Sequence, residues 1–512
     1  MQQIIQIQEE EPKSPIQLFF QRTFKTIKSN LCSFYSSTLS FVFFVSLIGG
    51  LSVYFLEKDF AQLKFIDAFF IVVSSATGCG LMSVDIYFLR TESQFIMTLC
   101  TEICCVCLAS TVIPAYLRWY RLSSKKSKRD TELRYKQQSS SDSEIDVTII
   151  TSEMEPYKYN YEIELKAIKY FAILSTIYCF GCQLLSFLIL AINCNANSKT
   201  REALKNDGIN PTFYALYITV SAWGNVGATI TSSSFNIQDD PIIIIVMAVT
   251  CVMGLIGIPI GLRFMVFIFH RLFEKKSNVI TTKNPLLYIL KSPTRISNFL
   301  FSSTQTNLLI VIFFLLVALQ SSAIVLWNRD ESIEHIIFLA IAQASVTRTS
   351  GFTFLNFKKF HDVVSLIIIF TMFVGSYPIQ MIRHFRDKQV NIQAGYFPQE
   401  SNIKTIIHYF KDIIFSHTMI VFILSLIVMA IYSFENPEEH TALTVIFEVT
   451  SGFGTVGYSL GCPNCDNFSF SGVLPLSGKL VIIFSMFIGR VRGYPLQLYP
   501  PDYYDDNNKK YE

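Results

Sequence analysis

Charge is scarce in this chain. Asp, Glu, Lys and Arg make up 16% of its 512 residues, against roughly 25% in soluble proteins. Hydrophobic residues supply 51%, and the mean hydropathy is +0.39. That balance excludes an ordinary soluble domain and points to a polytopic membrane protein. The formal net charge of +3 is too small to suggest a nucleic-acid partner. No segment carries an ATP-binding P-loop, a dinucleotide fingerprint or an HExxH helix, and the apolar segments lack the His/Asp/Glu clusters that catalysis or a redox cofactor needs. The chain therefore reads as a non-enzyme without cofactors, driven by the membrane potential, a coupled ion or an external partner. A disulfide framework is also missing. The cysteines lie mostly inside apolar segments (Cys100, Cys104, Cys105, Cys107, Cys179, Cys182, Cys251), where they behave as small hydrophobes. Cys462 and Cys465 form a single CxxC, which leaves open an ordinary loop, a zinc half-site or an extracellular disulfide. The start of the chain is polar, with Glu9, Glu10 and Glu11 before any apolar run, so no cleavable signal peptide is expected.

What is present is a segment written four times. VSSATGCG (73–80), VSAWGNVG (220–227), ASVTRTSG (344–351) and TSGFGTVG (450–457) align without a gap on Gly80, Gly227, Gly351 and Gly457. A serine stands six residues before each glycine, at Ser74, Ser221, Ser345 and Ser451. Small and hydroxyl residues ending in glycine suit a pore loop, whose backbone carbonyls must pack closely around an axis. The fourth copy contains Thr455-Val456-Gly457-Tyr458, four of the five residues of the potassium-filter signature TVGYG.

Around each loop the pattern is span, half-span, loop, span. Residues 31–56 carry no charge until Glu57 and exceed the ~20 residues that cross a bilayer. The other expected spans are 94–120, 168–192, 241–269, 305–327, 362–382, 413–434 and 473–494. Between them lie half-spans at 66–76, 212–223, 333–346 and 441–452. A half-span cannot cross, so its loop must turn back in a protein-lined cavity. The expectation is an all-α membrane protein with eight transmembrane helices, four re-entrant half-helices and one pseudo-fourfold pore. Its parts are a cytoplasmic segment 1–30, repeats 31–120, 167–272, 305–386 and 413–495, cytoplasmic linkers 121–166, 273–304 and 387–412, and a cytoplasmic tail 496–512. Lysine and arginine concentrate at 118–136 and 271–295, which places those linkers and both termini inside and the glycine loops outside. The acidic turns Asp330-Glu331 with Glu334, and Glu435 with Glu438-Glu439, would face outward, as would the sequon at Asn467.

The segments SAWGNVGA (221–228), TRTSGF (347–352), SGFGTVGYSLG (451–461), IGIPIGLRF (256–264) and GKLVIIFSMFIGRVRGYP (478–495) resemble the Trk/Ktr/HKT superfamily of potassium and sodium transporters over residues 31–495, most like its fungal and plant members. The resemblance implies four units around one pore, a homodimer in the plasma membrane, membrane lipid around it and monovalent cations moving inward. The first loop, SSATGCGLMS, departs most from the pattern. It leaves Gly78 open as an alternative to Gly80, which the internal alignment favours.

The expected potassium site is a ring of backbone carbonyls from Cys79 and Gly80, Asn225, Val226 and Gly227, Ser350 and Gly351, and Thr455, Val456 and Gly457. Ser74, Ser221, Ser345 and Ser451 are expected to end the half-helices and bond nearby backbone. Arg348 should turn away from the axis and support the third half-helix end. The resemblance implies that Arg490 is a positive constriction below the filter, and the third inner helix near Gly375 is the other gate candidate. Lys479 is expected to snorkel to the surface. Four filter glycines imply potassium over sodium, since relatives that prefer sodium commonly carry serine in the first loop. The alternatives are a sodium-permeable or a proton- or sodium-coupled symporter of the same family, a separate regulatory subunit, and, in another class, a non-transporting receptor or scaffold. Re-entrant half-helices argue against the last.

Overall fold

Long uncharged runs become helices because a helix satisfies every backbone group within its own segment, the condition for crossing lipid. The computed structural model describes residues 34–124, 144–232, 240–276, 284–327, 333–355, 360–374, 402–435, 442–461 and 468–492, and no strand occurs among them. In chain order the principal helices are α1 (Phe34–Glu57), α2 (Phe65–Thr77), α3 (Thr91–Cys104, continuing after a break to Ser124) and α4 (Glu144–Ala196). They are followed by α5 (Pro211–Trp223), α6 (Pro241–Gly254), α7 (Gly257–Lys276), α8 (Ser303–Trp327) and α9 (Ile333–Val346). The last four are α10 (Asp362–Val374), α11 (Asn402–Glu435), α12 (Ala442–Gly454) and α13 (Leu476–Val491).

Among the described residues, five helical stretches are long and apolar enough to cross a membrane: Ser37–Glu57, Thr91–Ser124, Glu162–Ala196, Ser303–Trp327 and His417–Phe434. A sixth candidate is α6 with α7, bent by 83° at their junction. Three others are short apolar helices at the expected half-span positions, α2, α9 and α12, and α10 is a fourth, at the position of the expected span 362–382. The chain is thus an integral, multi-pass, all-helical protein. Its outer helices turn large apolar side chains outward, with Ile48 65% and Phe55 70% exposed on α1, as a lipid-facing surface does.

Local chemistry explains the helix starts and breaks. Pro211 and Pro241 occupy first-turn positions, where no backbone N–H is needed. Asn210 and Asp240 precede them and accept the free N–H groups of Thr212, Phe213, Ile242 and Ile243. The α6–α7 bend falls at Leu255 (φ −137°, ψ −69°), between Gly254 and Gly257. A Cβ on Gly254 would fall on the Trp223 carbonyl oxygen, so the glycine lets the broken inner helix touch the end of half-helix α5. Gly489 does the same against Phe453 at the end of α12. In α3 the break is at Cys105 (φ −58°, ψ 148°), followed by a π-helical turn, Leu108–Val112.

The packing is cyclic. Besides its own neighbours, each half-helix packs on a helix of another unit: α5 on α3, α9 on α6, α12 on α10, and α2 on α13. The last contact joins the beginning of the chain to its end. It contains a buried ion pair, Lys479 Nζ to Asp67 Oδ1 at 2.6 Å, so Lys479 does not snorkel as expected. The second spans of the first two repeats end in the same motif, Pro114-x-x-x-Arg118 and Pro259-x-x-x-Arg263, and both arginines hold one platform, Arg118 donating to the Arg295 and Ile296 carbonyls and Arg263 to the Phe301 carbonyl. Gly375, Cys462, Cys465, Asn467, the corresponding Pro378 and Arg383 of the third repeat and Pro495 of the fourth, the acidic residues 330, 331, 438 and 439, and the linker stretches 125–143, 277–283 and 387–401 lie outside the described residues.

Candidate functional site

Three of the four half-helices end in the same way. In α2, Cys79 N–H donates to Ser74 O at 2.8 Å and Gly78 N–H to Ser75 O at 3.2 Å, with Gly78 left-handed at φ +68°. This is a Schellman cap, in which the left-handed residue turns the chain and two carbonyls at the helix end are satisfied. The aligned bonds recur in α5, Val226 N–H to Ser221 O and Asn225 N–H to Ala222 O, and in α12, Val456 N–H to Ser451 O and Thr455 N–H to Gly452 O. Asn225 and Thr455 are left-handed at φ +59° and +52°. Gly78 therefore matches Asn225 and Thr455 as the cap, and the aligned glycines lie two residues on. The third half-helix differs, with Thr349 and Ser350 N–H both directed to Val346 O.

Those second glycines meet. Gly80, Gly227 and Gly457 have φ of +90°, +79° and +99°, a region that side chains occupy only at a cost of roughly 1–2 kcal/mol. A Cβ on Gly80 would strike the Val226 carbonyl, one on Gly227 the Gly351 backbone, and one on Gly457 the Cys79 carbonyl and Gly80. From Gly351 the same atom would lie 3.1 Å from Gly457 C and 3.1 Å from Val456 O. The four loops thus close a ring, Gly80–Gly227–Gly351–Gly457, in backbone contact. Gly351 N–H also reaches Val226 O at 3.4 Å.

Side chains hold the loops, though not the same ones in each repeat. Ser221 Oγ accepts from Ala228 N–H at 3.1 Å and donates to Ala228 O at 2.9 Å. Ser451 Oγ accepts from Gly457 N–H at 3.0 Å. Ser74 Oγ is buried beside the Cys79 thiol and makes no bond to its loop's backbone. Ser345 Oγ instead donates back to Ile341 O, and in that repeat Gln343 serves the loop. Gln343 Nε2 donates to Phe352 O at 3.1 Å and to the Tyr458 hydroxyl at 2.6 Å, its Oε1 accepts from Phe354 N–H at 2.7 Å, and Tyr458 donates to Phe352 O at 2.5 Å. Loops three and four are tied by this network. Glu448 plays a similar part in α12, accepting from Ser471 N–H at 2.8 Å and Ser471 Oγ at 2.5 Å. Gln343, Glu448 and Asp67 are polar residues in otherwise apolar half-helices, and that was their signal in the sequence.

Two arginines flank the ring. Arg348 is 2% exposed and faces away from the other loops, its guanidinium 4.2 Å from the Phe313 ring centroid on α8. Cation–π contact in a dry setting is worth about 2 kcal/mol, and the guanidinium Nε and Nη2 have no hydrogen-bond partner. Arg490 lies on α13 where it donates to the Cys104 carbonyl, which the break in α3 frees. A Cβ on Gly78 would lie 3.8 Å from Arg490 Nη1, so the cation sits beside the cap of the first half-helix. The structure brings together Cys79, Gly80, Val226, Gly227, Gly351, Val456 and Gly457, with Asn225 and Thr455 at the caps behind them. Ser350 is fully buried next to Gly351.

Known proteins resemble this chain in sequence and in fold. The family model TrkH, described as a cation transport protein, matches residues 147–500. The chain is 25% identical over 354 residues to potassium transporter TRK1 of Candida albicans, an alignment covering 65% of this chain and 33% of that protein. Against the low-affinity potassium transport protein of Saccharomyces cerevisiae it is 23% identical over 383 residues, covering 66% and 43%. Against potassium transport protein 1 of Schizosaccharomyces pombe it is 26% identical over 353 residues, covering 65% and 41%. The matched part is therefore only 33–43% of the length of these fungal relatives. The crystal structure of the potassium transporter TrkH from Vibrio parahaemolyticus superposes with a TM-score of 0.50 at 16% identity, covering 90% of this chain and 84% of that one. At that identity the shared property is the fold.

Proposed function

Because this chain belongs to the TrkH family of cation transport proteins, within the Trk/Ktr/HKT superfamily and similar to its fungal members, we propose that it takes up potassium through a filter built by its four glycine loops. The observation that carries this is the closed ring of Gly80, Gly227, Gly351 and Gly457. A dehydrated potassium ion needs several oxygens at once, and the carbonyls of Cys79, Gly80, Val226, Gly227, Ser350, Gly351, Val456 and Gly457 are the groups positioned to supply them. The cyclic packing of half-helices on neighbouring units supports a full count of eight spans and four half-helices around one pseudo-fourfold pore. The four units are residues 31–120, 167–272, 305–386 and 413–495.

In this reading the pore opens outward at the loops, while both termini and the linkers 121–166, 273–304 and 387–412 are cytoplasmic. The membrane is the plasma membrane and the assembly a homodimer. Arg490 supplies a positive constriction beneath the filter, opposed by the Cys104 carbonyl it holds, and Gly375 on the third inner helix belongs to the same gate. A membrane potential supplies about 2.3 kcal/mol per 100 mV to each monovalent cation. At 100 mV that sustains a concentration ratio of roughly 50-fold, so uptake to that level needs no coupled ion, and a steeper ratio requires a larger potential or symport.

The test is rubidium and sodium uptake, measured side by side, in vesicles containing the purified full chain. Rubidium flux above empty vesicles and well above sodium is the expected result. A flux equal to that of empty vesicles, or a sodium flux exceeding rubidium, overturns the proposal.

A further inference from the structure

Beside Arg490 the break in α3 gathers groups that the ion path does not use. Glu102 and Cys105 at the break, and Cys179 on α4, place a carboxylate oxygen and two sulfurs all within 4.8 Å of one another. An ion bonded at about 2.0–2.3 Å leaves its ligand atoms at most about 4.6 Å apart, so small adjustments bring all three onto one centre. We propose that Glu102, Cys105 and Cys179 bind a thiophilic divalent metal ion of the Zn2+ or Cd2+ type, fastening α3 to α4 across the break.

Three further observations fit that chemistry. Glu102 Oε2 is buried without a hydrogen-bond partner, while Gln183 Nε2 donates to its Oε1 at 3.0 Å and fixes the carboxylate, as outer partners of metal ligands do. Cys105 Sγ accepts the Leu108 N–H at 3.4 Å where the helix resumes, which fixes the sulfur at the break. Cys107 lies beside Cys179 and offers a third sulfur as a fourth ligand. Two thiolates and a carboxylate suit zinc or cadmium, whereas potassium and sodium prefer oxygen alone, so the site is no stop on the monovalent path. Its consequence for transport rests on the function proposed above. Cys104, whose carbonyl receives Arg490, adjoins Cys105, and a cross-linked break holds Arg490 in place.

The experiment titrates the purified full chain, carrying Cys462→Ser and Cys465→Ser to remove the CxxC, with Cd2+ alone. The expected result is one ion per chain with an ultraviolet sulfur-to-cadmium charge-transfer band. Cys105→Ser and Cys179→Ser each abolish the band, Glu102→Gln weakens binding tenfold or more, and Cys194→Ser, elsewhere on α4, keeps it. No band in the parent chain, or a band undiminished in both Cys105→Ser and Cys179→Ser, overturns the site, and the parent titration does not depend on how the variants fold. In vesicles Cd2+ should lower rubidium flux at least twofold in the parent and not in Cys105→Ser. Unchanged parent flux overturns the link to Arg490 while the band still reports the site.

Discussion

Lys479 Nζ donates to Asp67 Oδ1 at 2.6 Å, joining the half-helix of the first repeat to the last inner helix across 412 residues of sequence. Both side chains keep only about a tenth of their surface, 10% and 11%. Breaking such a pair strands the other charge in a dry site, at a cost of about 3–5 kcal/mol. Asp67→Asn and Lys479→Met should each lower the melting temperature of the detergent-solubilised protein markedly. The double variant should regain more than half of the loss, because no charge is then left alone. Single variants that melt with the parent would show that the pair does not close the ring.

The same pair shows where sequence reading reaches its limit. The lone acid in the first half-span and the lone lysine at the start of the last span were both visible, and the four loops, half-spans and glycine positions were legible because small residues and hydropathy are local signals. That Asp67 and Lys479 meet is a property of cyclic closure, which no local pattern contains. Ser345 illustrates the converse. It aligns with Ser451 in sequence, yet its hydroxyl bonds back along its own helix, and Gln343, two positions earlier, does the loop-holding instead. The break at Cys105 was hidden because cysteine and valine give no warning of a kink, unlike the glycines around Leu255.

Serine in the ring should not act equally at the four positions. Gly80, Gly227 and Gly457 combine left-handed backbone with direct contact to a neighbouring loop, whereas at Gly351 an added Cβ meets its neighbours at 3.1–3.2 Å. A few tenths of an ångström of movement accommodates the latter. Gly351→Ser should therefore retain the most rubidium flux of the four single variants, on the order of tenfold more than the others by the 1–2 kcal/mol of backbone strain it avoids. Gly80→Ser should also lower the rubidium-to-sodium ratio. Equal loss at all four positions would show that close packing of the ring does not limit flow.

Arg490 carries its charge beside the cap of the first half-helix and takes a carbonyl that would otherwise lack a donor. At about 8 Å and an effective dielectric near 20, a unit charge opposes a passing cation by about 2 kcal/mol. Arg490→Gln, which can still donate to the Cys104 carbonyl, should raise basal rubidium flux on the order of tenfold with the ion preference unchanged. Arg490→Lys should stay near the parent. Flux in Arg490→Gln equal to the parent, at equal expression, would remove the electrostatic constriction from the proposed mechanism.

The choice between Gly78 and Gly80 comes down to which glycine turns the helix and which faces the ring, and exchange between repeats tests it. Gly78, Asn225 and Thr455 occupy one place in three Schellman caps, with φ between +52° and +68°. At that place Thr455 tolerates a left-handed backbone while its hydroxyl donates to Gly454 O at 2.7 Å. Threonine in this region costs roughly 1–2 kcal/mol, so Thr455→Gly relieves strain as it gives up that bond, and its melting temperature should stay within a few degrees of the parent. In the opposite direction Gly78→Thr adds the same strain and places a Cβ 2.6 Å from the Gly224 carbonyl, so stability should fall by at least about 2 kcal/mol. Gly78→Asn, the residue of the second repeat, meets the same obstacle with less backbone strain and should fall between them. All three changes fall two residues before the ring glycines, so flux per folded molecule should retain its rubidium preference in each, in contrast to Gly80→Ser. If Gly78→Asn alters the rubidium-to-sodium ratio and Gly80→Ser does not, the filter of the first repeat is built on Gly78 and the Gly80–Gly227–Gly351–Gly457 ring is not the conducting one.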